Sequence, residues 1–127
     1  MKLRVKGDSL RLRVSRSELA RLQAGGRVEE TVHFGAARDA RLTYALEIAP
    51  QASPVRVRYQ AQEVTVLLSE DQAHVWAKEG EIGIYTSIVI NGEISLDVIV
   101  EKDFACLDRS DEDNSDAFAN PHAERAC

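Results

Sequence analysis

The chain reads as an α+β domain: about eight strands in a mostly antiparallel sheet, with two helices on one face. Three observations predict this. Apolar residues alternate with charged ones over short runs, as in Leu10, Leu12 and Val14 against Arg11 and Arg13, which is the period of a half-buried strand. Two segments carry helix-start signals in which the cap residue is answered three positions later, Ser15 with Glu18 and Ser69 with Gln72. The order strand, strand, helix, strand, strand occurs twice.

The first half predicts strands over Lys2 to Lys6, Leu10 to Val14, Arg27 to Phe34 and Arg41 to Ile48. Gly7-Asp8 suits a two-residue II′ turn between the first two. The helix from Ser15 to about Ala24 turns Leu19 and Leu22 inward and Arg16, Ser17, Glu18 and Arg21 outward, and Gly25-Gly26 stops it. Val28, Val32 and Phe34, then Leu42, Tyr44, Leu46 and Ile48, form the apolar faces of the later strands. Pro50 to Pro54 is a linker. The second half predicts strands at Val55 to Tyr59 and Val64 to Leu68. Its helix has Ala73, Trp76 and Ala77 inside and ends at Gly80. A hairpin of Ile82 to Ile90 and Glu93 to Lys102 follows, turned by Asn91-Gly92, a type I′ signal.

A shift of 54 residues lays one half on the other without a gap. It carries Ser15 onto Ser69, Leu22 onto Trp76, Gly26 onto Gly80, Val28 onto Ile82 and Leu42 onto Leu96. This order of pattern, cap and stop points to a duplicated ββαββ unit, with pseudo-repeats 1–54 and 55–102 in one domain, 1–102. An acidic extension, 103–127, follows.

The composition is that of an ordinary globule, with 44% hydrophobic and 29% charged residues. No apolar run is long enough to span a membrane, and the N-terminus lacks the apolar core of a secretory signal. Cytoplasm is the expected compartment. Residues 103–127 hold seven acids and two bases, which accounts for the whole net charge of −5 and leaves the body balanced. This is not the basic balance of a nucleic-acid binder.

Chemistry is expected on the polar strand faces. Lys2, Arg4 and Lys6, with Arg11 and Arg13 on the adjoining strand, place like charges across a hairpin, a cost that a bound anion would offset. The candidate ligand-binding set is Arg4, Lys6, Arg11, Arg13, Arg41, Arg56 and Arg58, for an anionic, phosphate-type small molecule or a protein partner. Arginine forks suit phosphate and carboxylate. Two arrangements stay open. In one the sheet is open and this face is simply wet. In the other eight strands close into a barrel whose lumen the arginines line, with Glu29, Glu47, Asp97 and Glu101 able to hold a divalent cation as cofactor. In the extension, Cys106, His122 and Cys127 are metal-competent, with Asp113 or Asp116 as a fourth ligand, though no CxxC pair is present. The extension's acids could also lie on the basic face. No GxSxG, Walker loop, HExxH or dinucleotide fingerprint occurs.

The barrel arrangement is similar in topology to the CYTH or triphosphate-tunnel superfamily over residues 2–102. That resemblance implies metal-dependent hydrolysis of triphosphates. The family's opening Glu-x-Glu-x-Lys strand is replaced here by Lys2-Leu3-Arg4-Val5-Lys6, so its first metal-binding acids are missing. Over nearly its whole length, through MKLRVKGDSLRLRVSRSE, VEETVHFG and EKDFACL…DEDNSDAFANPHAERAC, the chain resembles an uncharacterised family of small bacterial proteins, a resemblance that implies no activity and no site.

Overall fold

The computed structural model describes residues 1–50, 54–105 and 115–119. Ten elements follow in order: β1 (Lys2–Val5), β2 (Ser9–Val14), α1 (Arg16–Gly25), β3 (Arg27–His33), β4 (Arg41–Ile48), β5 (Arg56–Gln60), β6 (Glu63–Leu68), α2 (Glu70–Ala77), β7 (Gly83–Val89) and β8 (Ser95–Lys102). Both expected capping boxes are present. The Ser15 and Ser69 side chains accept from the amides of Glu18 and Gln72, whose side chains reach back to the cap amides. Gly26 closes α1 in the left-handed conformation, φ 78°.

The expected single sheet is instead two mixed four-stranded sheets, in the orders β1-β2-β8-β7 and β3-β4-β6-β5. Each combines the first hairpin of one half with the last hairpin of the other, through a central parallel pair, β2 with β8 and β4 with β6. The closed barrel, one of the two arrangements left open, does not form. β1 and β7 remain edges of one sheet, β3 and β5 of the other.

The 54-residue shift survives in the pairing. It carries Ser9↔Asp97 onto the pair Glu63↔Thr43, and Lys2↔Arg13 onto Arg56↔Leu67. It also relates the bonds that tie the halves together. Asp97 donates its amide to Asp8 as Thr43 does to Gln62, and Asp103 donates to Val14 as Ala49 does to Leu68. The ungapped alignment fails only around β7. Glu47 and Glu101 lie 54 apart, but their partners Arg27 and Gly83 lie 56 apart. α2 ends at Ala77 with Lys78 as an extended C-cap, and Gly80 (φ 91°) turns the chain two residues later. The structural counterpart of Val28 is therefore Ile84, not Ile82.

One core joins the inner faces of both sheets to both helices. It contains Leu12, Val14, Val98 and Val100 from one sheet, Val28, Leu46, Val66 and Leu68 from the other, and Leu19, Leu22, Ala73 and Trp76 from the helices. The core ends before the hairpin tips, so Val32 and Phe34, expected inside, are exposed. Glu18, expected in water, is buried. Its carboxylate accepts from the Ser15 amide and from the ammonium of Met1. Burial pushes its pKa up, but these two donors outweigh burial and hold it below the usual range.

One turn departs from expectation, and another that the sequence did not mark holds positive φ. Asn91-Gly92 is not type I′, which needs positive φ at both positions. Asn91 Oδ1 accepts instead from the amides of Glu93 and Ile94 (2.8 and 2.9 Å), an Asx turn within a longer loop. The positive pair lies at Ala61 (φ 50°) and Gln62 (φ 60°), between β5 and β6. Neither residue favours the left-handed region, whose cost is about 1–2 kcal/mol per residue. The double change Ala61→Asn, Gln62→Gly is expected to raise stability by about 1 kcal/mol, read as a higher urea midpoint at unchanged m-value.

The described part of the extension returns to the body. Phe118 bridges Phe104 with ring centroids 6.1 Å apart and lies 5.5 Å beneath the Lys102 ammonium. Lys102 is buried and donates to the Lys78 carbonyl at the end of α2 (2.8 Å). Burial draws its pKa down against the opposing pull of Glu81 and Glu79. Asp116 accepts from the Ser17 amide and hydroxyl at the start of α1 rather than from the basic strands.

Candidate functional site

Strand alternation decides which side chains share a face. On β1 and β2, Leu3, Leu10, Leu12 and Val14 turn toward the core, so Lys2, Arg4, Arg11 and Arg13 must turn away from it. The antiparallel register then sets Lys2 opposite Arg13 and Arg4 opposite Arg11, two direct like-charge pairs. Lys6 lies in the turn beyond β1, where its amide donates to the Ser9 carbonyl (3.1 Å).

The acids near this face are Glu101 and Asp97 on β8 and Asp103 beyond it. Glu101 Oε1 lies 3.2 Å from Arg11 Nε and 3.6 Å from Arg13 Nε, and Glu101 Oε2 accepts from the Tyr85 hydroxyl (2.9 Å). Asp103 pairs with Lys2 at 2.9 Å. Arg4 and Lys6 have no ion pair among the described residues. The Arg11–Glu101 contact is poorly aligned, since Arg11 Nε and Glu101 Oε1 are both buried without a hydrogen-bond partner. Burial, then the hydrogen bond to Glu101, pushes the Tyr85 phenol up, against Arg11 and Arg13.

Gly83 makes room for this arrangement. A Cβ there would lie 2.8 Å from the Val100 carbonyl oxygen, 2.9 Å from Glu101 Cγ and 3.0 Å from the Tyr85 hydroxyl. The carbonyl belongs to a paired strand and cannot yield. Gly83→Ala is therefore expected to destabilise the fold by about 1–3 kcal/mol, measured by chemical denaturation.

Two shallow clefts flank the Arg4–Arg11 pair. One, of about 100 Å³, is lined by Lys2, Leu3, Arg4, Arg11 and Arg13. The other, of about 200 Å³, is lined by Arg4, Lys6, Ser9, Arg11 and Ile99. The second combines the two unpaired cations with a hydroxyl donor and an arginine engaged only through Nε. It can accept a group carrying two or more anionic oxygens.

The remaining predicted cations do not join it, because they belong to the other sheet. Arg56 and Arg58 stand on β5 opposite Leu67 and Thr65, and Arg41 pairs with His33 at the far end of β4. That sheet neutralises itself around Arg27, which was absent from the predicted set. Arg27 donates to Glu29 (2.9 Å), Glu47 (2.9 Å) and Glu63 (2.7 Å), and Arg58 lies 3.9 Å from Glu47. Burial works against the charge on Arg27, but these three carboxylates raise its pKa overall. The hydrogen bond from Arg27 holds Glu63 below the usual range. The only sequence signal for Arg27 was its place opposite Glu47 once the register is known.

The four acids expected to hold a divalent cation are divided, with Glu29 and Glu47 on one sheet and Asp97 and Glu101 on the other. Among the described residues no group of three or more metal-competent side chains converges. Cys106, His122 and Cys127 lie outside the described residues, as does Asp113. No described helix is long and apolar enough to cross a membrane.

No curated protein and no solved structure matches the chain. One family matches it, over residues 1–122, under the description Family of unknown function (DUF7009).

Proposed function

We propose that this chain, which belongs to the DUF7009 family of unknown function, is a binding module that holds an anionic group on the outer face of β1 and β2. The observation that carries this is the Arg4–Arg11 cross-strand pair, with Arg4 and Lys6 lacking any ion pair among the described residues and both lining the Ser9 cleft. Opposed like charges cost free energy in the empty state. An anion between them removes that cost and adds charge-assisted hydrogen bonds, each worth about 1.5–3 kcal/mol. Arg4 presents a planar fork, Lys6 a compact ammonium and Ser9 a hydroxyl. Glu101 lies against Arg11 and Arg13 on the same face and leaves the Arg11 guanidinium nitrogens beyond Nε available to a ligand. Phosphate and carboxylate groups both suit this donor set.

Thermal unfolding at low ionic strength with phosphate, pyrophosphate and nucleotides, with and without magnesium, tests the reading. The expected result is a concentration-dependent rise in the midpoint that disappears at high salt. Unchanged midpoints with every one of these anions would remove the reading.

A further inference from the structure

β1 is an edge strand, and its backbone parity can be read from the hairpin. Lys6 and Ser9 close the two-residue turn as a hydrogen-bonded pair. Hydrogen-bonded and open pairs alternate from there, so Arg4 and Lys2 point their amides and carbonyls at β2. Leu3 and Val5 point theirs outward, at the open side of the sheet. The side chains alternate as well. Lys2 and Arg4 lie on the basic face, while Leu3 and Val5 lie on the other, where Val5 is 62% exposed.

The same sheet shows what satisfies such a strand. β2 has the same composition, cations outward and Leu10, Leu12 and Val14 inward, and its second neighbour is β8. β8 carries Asp97, Ile99 and Glu101 on its outward face and Leu96, Val98 and Val100 on the other. Glu101 lies against both β2 cations while Asp97 stands level with Ser9, and Val98 and Val100 continue the apolar face into the core. β1 likewise sets cations on one face and apolar residues on the other, with no further strand beside it among the described residues.

We propose that the open edge of β1 takes up an extended segment of a partner protein in which acidic and apolar residues alternate, added as a fifth strand beyond β1. This rests on the anion-binding reading of the same face and names carboxylates spaced along a strand as the anions. Same-face residues on a strand repeat every ~6.8 Å, so acids two apart on the added segment come level with Lys2, Arg4 and Lys6 in turn. The alternate residues cover Val5 and Leu3, and the backbone supplies hydrogen bonds to their outward groups, the mode of strand addition. A second copy of the chain cannot serve through its own β1, which would set cation against cation. Lysine and arginine on an edge discourage self-pairing in this way, and they favour an acidic strand for the same electrostatic reason.

The test uses the full chain and a capped peptide of four Asp and three Val residues in strict alternation, followed by fluorescence anisotropy at low salt. Saturable binding is expected, weakened at least tenfold in the double variant Arg4→Ala, Lys6→Ala and in Val5→Pro. Proline removes an outward amide while leaving the β1–β2 ladder intact. Two further peptides, N-methylated only at the Val or only at the Asp amides, test the backbone without altering the protein. One is expected to lose binding at least tenfold and the other to keep it. Equal binding by the parent and both methylated peptides, with phosphate still raising the unfolding midpoint, overturns strand addition and leaves the anion-binding reading intact. Absence of any response to peptide and phosphate alike overturns both.

Discussion

Trp76→Ala is expected to lower the stability of the domain by about 3–5 kcal/mol, the range for removing a fully buried aromatic side chain. Trp76 is 1% exposed and belongs to the single core that joins both sheets to both helices. Its indole Nε1 donates to the Ile82 carbonyl (3.2 Å), at the two-residue irregularity between α2 and β7. Against a typical stability of about 5–15 kcal/mol, such a loss takes much of the total. Trp76→Phe separates packing from the hydrogen bond. It keeps most of the volume, and the Ile82 carbonyl retains a donor in the Lys102 amide (3.1 Å). The expected order in urea unfolding is wild type, then Phe, then Ala, with Ala far below the other two.

Arg4→Glu is expected to move stability and binding in opposite directions. Arg4 stands directly opposite Arg11, so charge reversal replaces a repulsive cross-strand pair by an attractive one. Such pairs contribute roughly 0.2–1 kcal/mol, and the unfolding midpoint should rise or hold. Phosphate binding should fall at least tenfold, because the substitution removes a guanidinium that has no ion pair among the described residues and puts a carboxylate in the cleft. Each lost charge-assisted bond corresponds to roughly a tenfold to hundredfold change in affinity. A cation face serving only to keep the sheet soluble would gain the stability and show no phosphate response to lose.

Local features were legible in the sequence because they arise from neighbouring residues. The capping boxes at Ser15 and Ser69 each need only four consecutive residues, and all eight strands follow from alternation over five or so positions. The partition into two sheets was not legible. It depends on β2 choosing β8 and β4 choosing β6, parallel pairings between strands far apart in the chain, and alternation carries no record of partner. Glu18 was misplaced because helix periodicity cannot show the carboxylate folding back to its own cap and to Met1. Val32 and Phe34 were misplaced because the alternation continues past the end of the core. At the candidate site the cations themselves were legible. Their sorting was not: Arg4, Lys6, Arg11 and Arg13 share one sheet, while Arg41, Arg56 and Arg58 belong to the other, where Arg27 and three glutamates dominate.

The most direct test of the central claim is a titration of the wild-type chain with inorganic phosphate at low salt, followed through the arginine Nε–Hε signals by NMR. Anion binding on the outer face of β1 and β2 predicts saturable shifts of Arg4 and Arg11, with Arg41, Arg56 and Arg58 unmoved. Signals that stay put throughout, or drift equally at all five arginines, would contradict it.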